Sequence, residues 1–271
     1  DSESNAETDT VSPGDTAEID VAAVVAKLKD PGSTMSFEPL TEERIETDST
    51  YDAGTTTQLM WGARSDVGCV RPHNEDSYLV QSPLFCVCDG MGGHAGGDTA
   101  STIAIRSLAH IEHDDVNGDV STVARMMETS VMAAHDAIVG KAKRERRLAG
   151  MGTTVTSVAL VAGCWVLAHI GDSRAYLLHD GHLVRMTSDH SYVQHLIDTG
   201  RISEAEARNH PQRNVVMRVL GDFDIDSRPD IAIRKAHPSD RWLLCSDGLC
   251  GVLEDSTLEE VLSTCADQEE C

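Results

Sequence analysis

The sequence predicts an α+β fold, because its helical and strand-like segments are grouped rather than alternating. Two amphipathic stretches lie side by side between about residues 98 and 147. β-Branched and aromatic runs broken by glycine follow from residue 153 to 186. With 40% hydrophobic residues in 271, the chain can build a substantial core.

The elements follow in chain order. Residues 1 to 57 carry fourteen Asp or Glu against three Lys or Arg, a net of 3 − 14 = −11, and many Ser, Thr and Gly. They are expected to form an acidic linker or tail, in which "VAAVVAKLKD" is a helix too short to be stable alone. The folded domain is expected over 58–271, its first apolar run starting at Leu59. "FCVC" (85–88) reads as a buried strand. "TASTIAIRSLAHIE" places Ala100, Ile103, Ala104, Leu108 and Ile111 on one helical stripe, with Asp98 or Thr99 as N-cap. A second helix over 121–147 repeats the stripe with Val123, Met127, Val131, Ala134 and Ile138 and ends in the basic run "KAKRERR". "TTVTSVALV", "CWVLAHIG" and "RAYLLHDGHLVRM" read as antiparallel strands, the last folding back at Asp180-Gly181. Helices are expected near 191–198, 203–208 and 256–264, with one more strand at "RWLLCS".

Charge and composition exclude several classes. Acids outnumber bases 45 to 22, a net of −23, which argues against a nucleic-acid surface and suits divalent cations. No run approaches the roughly 18 to 20 apolar residues of a membrane span, so a soluble, cytoplasmic protein is expected. Most of the eight cysteines sit inside apolar runs and read as buried, reduced thiols. Cys86 and Cys88 share a strand face, but no second CxxC or spaced His pair accompanies them, and zinc is not expected.

Three strands end alike. "FCVCDG" delivers Asp89-Gly90, "LAHIGDS" delivers Gly171-Asp172 and "LLCSDG" delivers Asp247-Gly248. Asp-Gly is also a common turn, so no single one is diagnostic. If the three exits converge, the carboxylates repel one another unless cations sit between them, and oxygen-only ligands select Mg²⁺ or Mn²⁺. "RPHNEDSY" adds Glu75 and Asp76, with Arg71 four residues ahead as a planar fork for a phosphate or, alternatively, a solvated surface arginine.

In this order, "SDVGCVRPHNED", "CDGMGGHAGG", "MGTTVTSVAL", "HIGDSRAYLL", "TSDHSYVQHLIDTGRISEAEARNHPQRNVVMRVLG" and "LLCSDGL" resemble the bacterial branch of the metal-dependent type 2C serine/threonine protein phosphatases, over about residues 60 to 262. The resemblance implies a four-layer α-β-β-α sandwich of two antiparallel sheets, with a dinuclear site at one edge. It implies that Asp89 bridges two Mg²⁺ or Mn²⁺ ions, that Glu75 and the Gly90 carbonyl bind one and Asp247 the other, and that Asp76, in the same acidic motif, is a further metal ligand. Asp172 with Asp247 would hold a third ion, and Arg71 would receive the substrate phosphate. A metal-activated water would then attack phosphoserine or phosphothreonine directly, with His94 as first and His73 as second general acid, either of which could instead be a loop histidine. Residues 190–220 resemble the variable flap, with Arg208 and Arg213 as phosphopeptide contacts or, alternatively, solvated arginines. The implied partners are phosphoproteins, including a Ser/Thr kinase that the phosphatase opposes, and the chain is expected to be a monomer. The family pattern also closes with a Gly-rich turn and an Asp-Asn pair that this chain lacks, so the domain is expected to stop before its last metal-binding Asp and final strand. Competing readings are a non-catalytic pseudophosphatase that binds phosphoproteins and a calcium-stabilised β domain.

Overall fold

The computed structural model describes residues 50–68, 71–92, 96–111, 118–223 and 226–265. Its strands are β1 (Thr50–Thr55), β2 (Met60–Ser65), β3 (Ser77–Gln81), β4 (Leu84–Cys88), β5 (Gly90–Met91), β6 (Gly152–Thr153), β7 (Val155–Val161), β8 (Cys164–Ile170), β9 (Arg174–His179), β10 (His182–Arg185), β11 (Asp230–Lys235) and β12 (Arg241–Cys245). Its helices are α1 (Gly97–Leu108), α2 (Val120–Arg144), α3 (Tyr192–Asp198), α4 (Glu204–Arg208), α5 (Asp247–Cys250) and α6 (Asp255–Thr264).

The grouping seen in the sequence becomes two main antiparallel sheets, one of five strands in the order β11-β8-β7-β4-β3 and one of three in the order β10-β9-β12, beside the two-stranded pairs β1-β2 and β5-β6. Side chains alternate across a strand, and both faces of the central strands are buried, which is why "VTSVALV" reads as nearly continuous apolar. One face of the larger sheet, with Leu84, Cys86, Val155, Val166 and Ile170, packs on Ala100, Leu108, Met127 and Ile138 of α1 and α2. Its other face meets the smaller sheet through Phe85, Val158, Leu167, Ala175 and Trp242. Beyond that, Tyr176 and Cys245 pack on Cys250 of α5 and Leu258 of α6. The order of layers is therefore α-β-β-α.

Local chemistry matches the sequence in places and departs in others. The Asp180-Gly181 turn has both residues at positive φ, 49° and 81°, as a two-residue hairpin requires. Helix α1 is not capped by Asp98 or Thr99: its N-cap is Gly96, without a side-chain cap, and Asp98 lies in the first turn with its carboxylate accepting from Thr99 N–H at 2.6 Å. At the start of the helix, a side chain on Gly97 would run into Glu75. Helix α2 stops at Glu145, whose extended backbone (φ −120°, ψ 99°) leads to a 3₁₀ turn over Arg146–Leu148. Strand β1 lies inside the stretch expected to be tail and pairs along its length with β2, so regular structure starts at Thr50. Among the described residues, no helix is long and apolar enough to cross a membrane.

Candidate metal centre

The strand exits converge. Asp89 leaves β4 between two anchors: its N–H donates to Thr154 Oγ1 (2.9 Å), and its carbonyl accepts from Thr154 N–H (2.9 Å) and Thr153 Oγ1 (2.9 Å). Gly90 and Met91 then pair with Gly152 and Thr153. Gly90 N–H donates to the Glu75 carbonyl at 3.2 Å, bringing the acidic pair 75–76 alongside. Ser246, just before Asp247, donates from Oγ to Asp76 Oδ2 at 2.6 Å, across 170 positions of sequence. Asp172 follows Gly171 out of β8 and is half-buried.

Electrostatics shows how close these carboxylates stand. Burial, then the charges of Asp76, Asp247 and Asp172, push the Asp89 carboxyl up to about 9. Burial, with Asp247 and Asp189 adding, pushes Asp172 up to about 7. Asp76 is also raised, chiefly by burial, against hydrogen bonds from Ser246 and Asp89. Repulsion and desolvation thus outweigh Arg71 beside Asp76 and Arg174 beside Asp172. Asp76 and Asp89 share a hydrogen bond, and among the described residues no three Asp, Glu, His or Cys side chains form a ready cage for an ion.

The donor set fits a hard divalent cation. Glu75 Oε2 pairs with Arg71 Nη1 at 3.3 Å, while Oε1 is buried with no hydrogen-bond partner, an arrangement that is costly unless something binds there. The space beside it is kept free by glycine: a Cβ on Gly97 would lie 2.5 Å from Glu75 Oε1, and one on Gly90 would collide with the Gly97 and Glu75 carbonyls. Every polar group offered is an oxygen. The thiols behind the site do not take part, because Cys86 and Cys88 are buried, 3.6 Å apart, and burial drives the Cys88 thiol well up.

The remaining sequence candidates are placed as follows. Arg71 is exposed beside Glu75, and His73 Nδ1 is buried without a partner. Arg208 turns to α5 and α6, with Nη1 3.5 Å from the Leu253 carbonyl and Nη2 4.0 Å from Asp255. Arg213 is exposed, with no side-chain hydrogen bond or ion pair among the described residues. His94 lies outside the described residues. Sequence reasoning did not single out the supports Thr153, Thr154 and Ser246, although "MGTTVTS" and "CSDG" place hydroxyls next to the acidic exits.

Layering and site together define an α-β-β-α sandwich with a carboxylate-rich edge. The profile of the family Protein phosphatase 2C matches residues 72–269, and the chain belongs to that family. It is 43% identical over 210 residues to the serine/threonine protein phosphatase PstP of Mycobacterium tuberculosis, a match that covers 78% of this chain and 40% of that protein. The chain thus spans about two fifths of the length of that relative. It is 36% identical to the serine/threonine phosphatase stp of Listeria monocytogenes, over 74% of this chain and 82% of that protein. Among solved structures, the catalytic domain of PstP in complex with two manganese ions superposes with a TM-score of 0.70 at 39% identity, covering 82% of this chain and 87% of that one. Stp1 of Staphylococcus aureus gives 0.68 at 28%, covering 88% and 89%.

Proposed function

We propose that this chain is a divalent-cation-dependent protein serine/threonine phosphatase that hydrolyses phosphoserine and phosphothreonine by direct attack of water. The carrying observation is the convergence of Asp76, Asp89 and Asp172, their carboxyls raised chiefly by burial and by the neighbouring carboxylates, Asp247 among them, beside an unpartnered Glu75 oxygen. The mycobacterial domain described with two manganese ions supports two cations of the Mg²⁺ or Mn²⁺ type. Asp89, Glu75 and the Gly90 carbonyl would hold one, Asp89 and Asp247 the other, and Asp172 with Asp247 a third; Asp76 would act from the next layer. When bound, such ions supply a water acidic enough to attack phosphorus near neutral pH and positive charge for the phosphoryl oxygens.

The chain's own residues do the rest. Thr153 and Thr154 hold the Asp89 backbone so that its carboxylate is aimed before any ligand arrives. Glu75 Oε2 orients the Arg71 fork, whose remaining donors face solvent and can take two phosphoryl oxygens. The leaving alkoxide takes its proton from an imidazole, His94 first; the unpartnered Nδ1 supports His73 as second. Arg213, rather than the engaged Arg208, is the freer contact for a phosphopeptide. Substrates are then products of Ser/Thr kinases, whose action the protein opposes.

The test is phosphate release from a phosphothreonine peptide and from p-nitrophenyl phosphate. Turnover should require Mn²⁺ or Mg²⁺, stop with chelator and vanish in Asp89→Asn. Turnover that persists in chelator would sink the proposal, and tight peptide binding without turnover in saturating Mn²⁺ would show a pseudophosphatase.

A further inference from the structure

Asp172 hangs on a loop held from several sides. Ser173 Oγ bonds Thr154 Oγ1 (2.8 Å), and the Ser173 carbonyl accepts from Thr156 Oγ1 (3.1 Å), itself bonded to His169 Nδ1 (3.0 Å). The remaining tie is to His190, whose ring lies 4.9 Å from that of His169. Gly171 N–H donates to His190 Nδ1 (3.0 Å), and His190 N–H donates to the Gly171 carbonyl (2.8 Å). Gly171 sits at φ 115°, and a Cβ there would lie 2.5 Å from Thr154, so only glycine fits at this close approach. His190 also opens the flap segment and closes it: its carbonyl accepts from Met217 N–H (2.6 Å) near the segment's other end.

The ring's tautomer follows from its partners. Nδ1 accepts from Gly171, so the proton sits on Nε2, which donates to Asp230 Oδ2 at 3.0 Å. Arg218 Nη1, 2.9 Å from the same Nε2, is also a donor and finds its acceptor in Asp230 Oδ1 (3.2 Å), while Nη2 holds the Arg228 carbonyl (2.7 Å). Asp230 on β11 therefore fixes which nitrogen faces Gly171. The side chain of His190 is only 9% exposed, whereas that of Asp230 is 57% exposed.

We propose that His190 is a positioning residue that holds the Asp172 loop in its cation-binding conformation through the Gly171 N–H and thereby ties that loop to the flap segment. The inference rests on Asp172 being a cation ligand. An imidazole supporting a ligand's backbone acts as outer partners of metal sites generally do, where loss costs about 10- to 100-fold in affinity.

The test is Mn²⁺ binding to metal-free protein by calorimetry, with Gly171 amide exchange followed by NMR in the same metal-free samples. His190→Leu should weaken the weakest Mn²⁺ site by about 10-fold or more and speed Gly171 exchange. His190→Asn, whose amide oxygen can replace Nδ1 as acceptor, should restore most of both. Asp172→Asn should remove that same site. If Asp172→Asn leaves the isotherm unchanged, the ligand reading fails and takes the inference with it. If Asp172→Asn removes a site that His190→Leu leaves at wild-type affinity, the ligand reading stands and the role of His190 is overturned. Should His190→Leu not fold, Asp230→Ala on the exposed edge strand carries the test: wild-type affinity and wild-type Gly171 exchange in it would equally overturn the inference.

Discussion

Asp89→Asn should make the metal-free protein more stable while destroying its function. Without cations, the folded protein holds the Asp89 carboxyl near 9 against 3.8 for a free carboxyl, so the folded state binds more protons than the unfolded chain throughout that interval. The associated stability is complete below about pH 4 and is lost as pH rises towards 9. At pH 7, the roughly three pH units above 3.8 amount to about 4 kcal/mol at about 1.4 kcal/mol each. This is an upper figure, because Asp76 carries part of the same repulsion. Asparagine is nearly isosteric, keeps a donor for Asp76 and has no charge to desolvate. The variant's advantage in chelator should therefore be near zero at pH 4, about 1 to 2 kcal/mol at pH 5 and largest at pH 7, on the order of 10 °C in Tm. Urea unfolding of both proteins in EDTA across that range is the assay. A variant that is less stable at pH 7, or whose advantage does not grow with pH, would refute the electrostatic reasoning. A stabilising change that removes activity is the signature of a site built against its own stability.

Other perturbations separate the supports from the centre. Gly97→Ala places a methyl 2.5 Å from Glu75 Oε1, so Glu75 must move; the Mn²⁺ concentration for half-maximal turnover should rise about 10-fold or more, while unfolding free energy drops by only about 1–3 kcal/mol. The Arg174–Asp189 pair has Nη2–Oδ2 at 2.7 Å with side chains 19% and 8% exposed; Asp189→Leu alone should cost about 3–5 kcal/mol in urea unfolding, and adding Arg174→Met should recover most of it. Burial holds His169 down at about 4, so the folded state binds fewer protons than the unfolded chain between 4 and 6.5. Its contribution is complete above pH 6.5 and lost as pH falls towards 4, worth about 3 kcal/mol, and its ring resonances should titrate near 4 in NMR rather than near 6.5.

The sequence made the centre legible because its chemistry is local. A buried strand, an aspartate and a glycine recur at Asp89 and Asp247, and the structure brings those exits together with Asp172. The two helices and the strands from 155 to 185 were equally readable, since the larger sheet and the helices on it bury a period-2 and a period-3.6 pattern against each other. What escaped was chemistry between distant positions. Nothing in "DIAIRK" announces β11, an edge strand with most of its residues exposed, so apolar alternation gives no sidedness. Likewise β1, with few apolar residues, falls within the stretch read as tail. Ser246 on Asp76, Thr154 on Asp89 and His190 on Gly171 are contacts across 170, 65 and 19 positions, invisible to any window. The cysteines that stand out in "FCVC" proved to be packing.

The central claim is that these carboxylates form a cation site that performs phosphate-ester hydrolysis. Its most direct test is to titrate Mn²⁺ into metal-free protein while following calorimetric binding and phosphate release from a phosphothreonine peptide in parallel. Turnover should rise with the filling of about two tight sites, and both signals should be lost in Asp89→Asn. Cation binding that survives in Asp89→Asn, or turnover that is complete before any cation binds, would contradict the account.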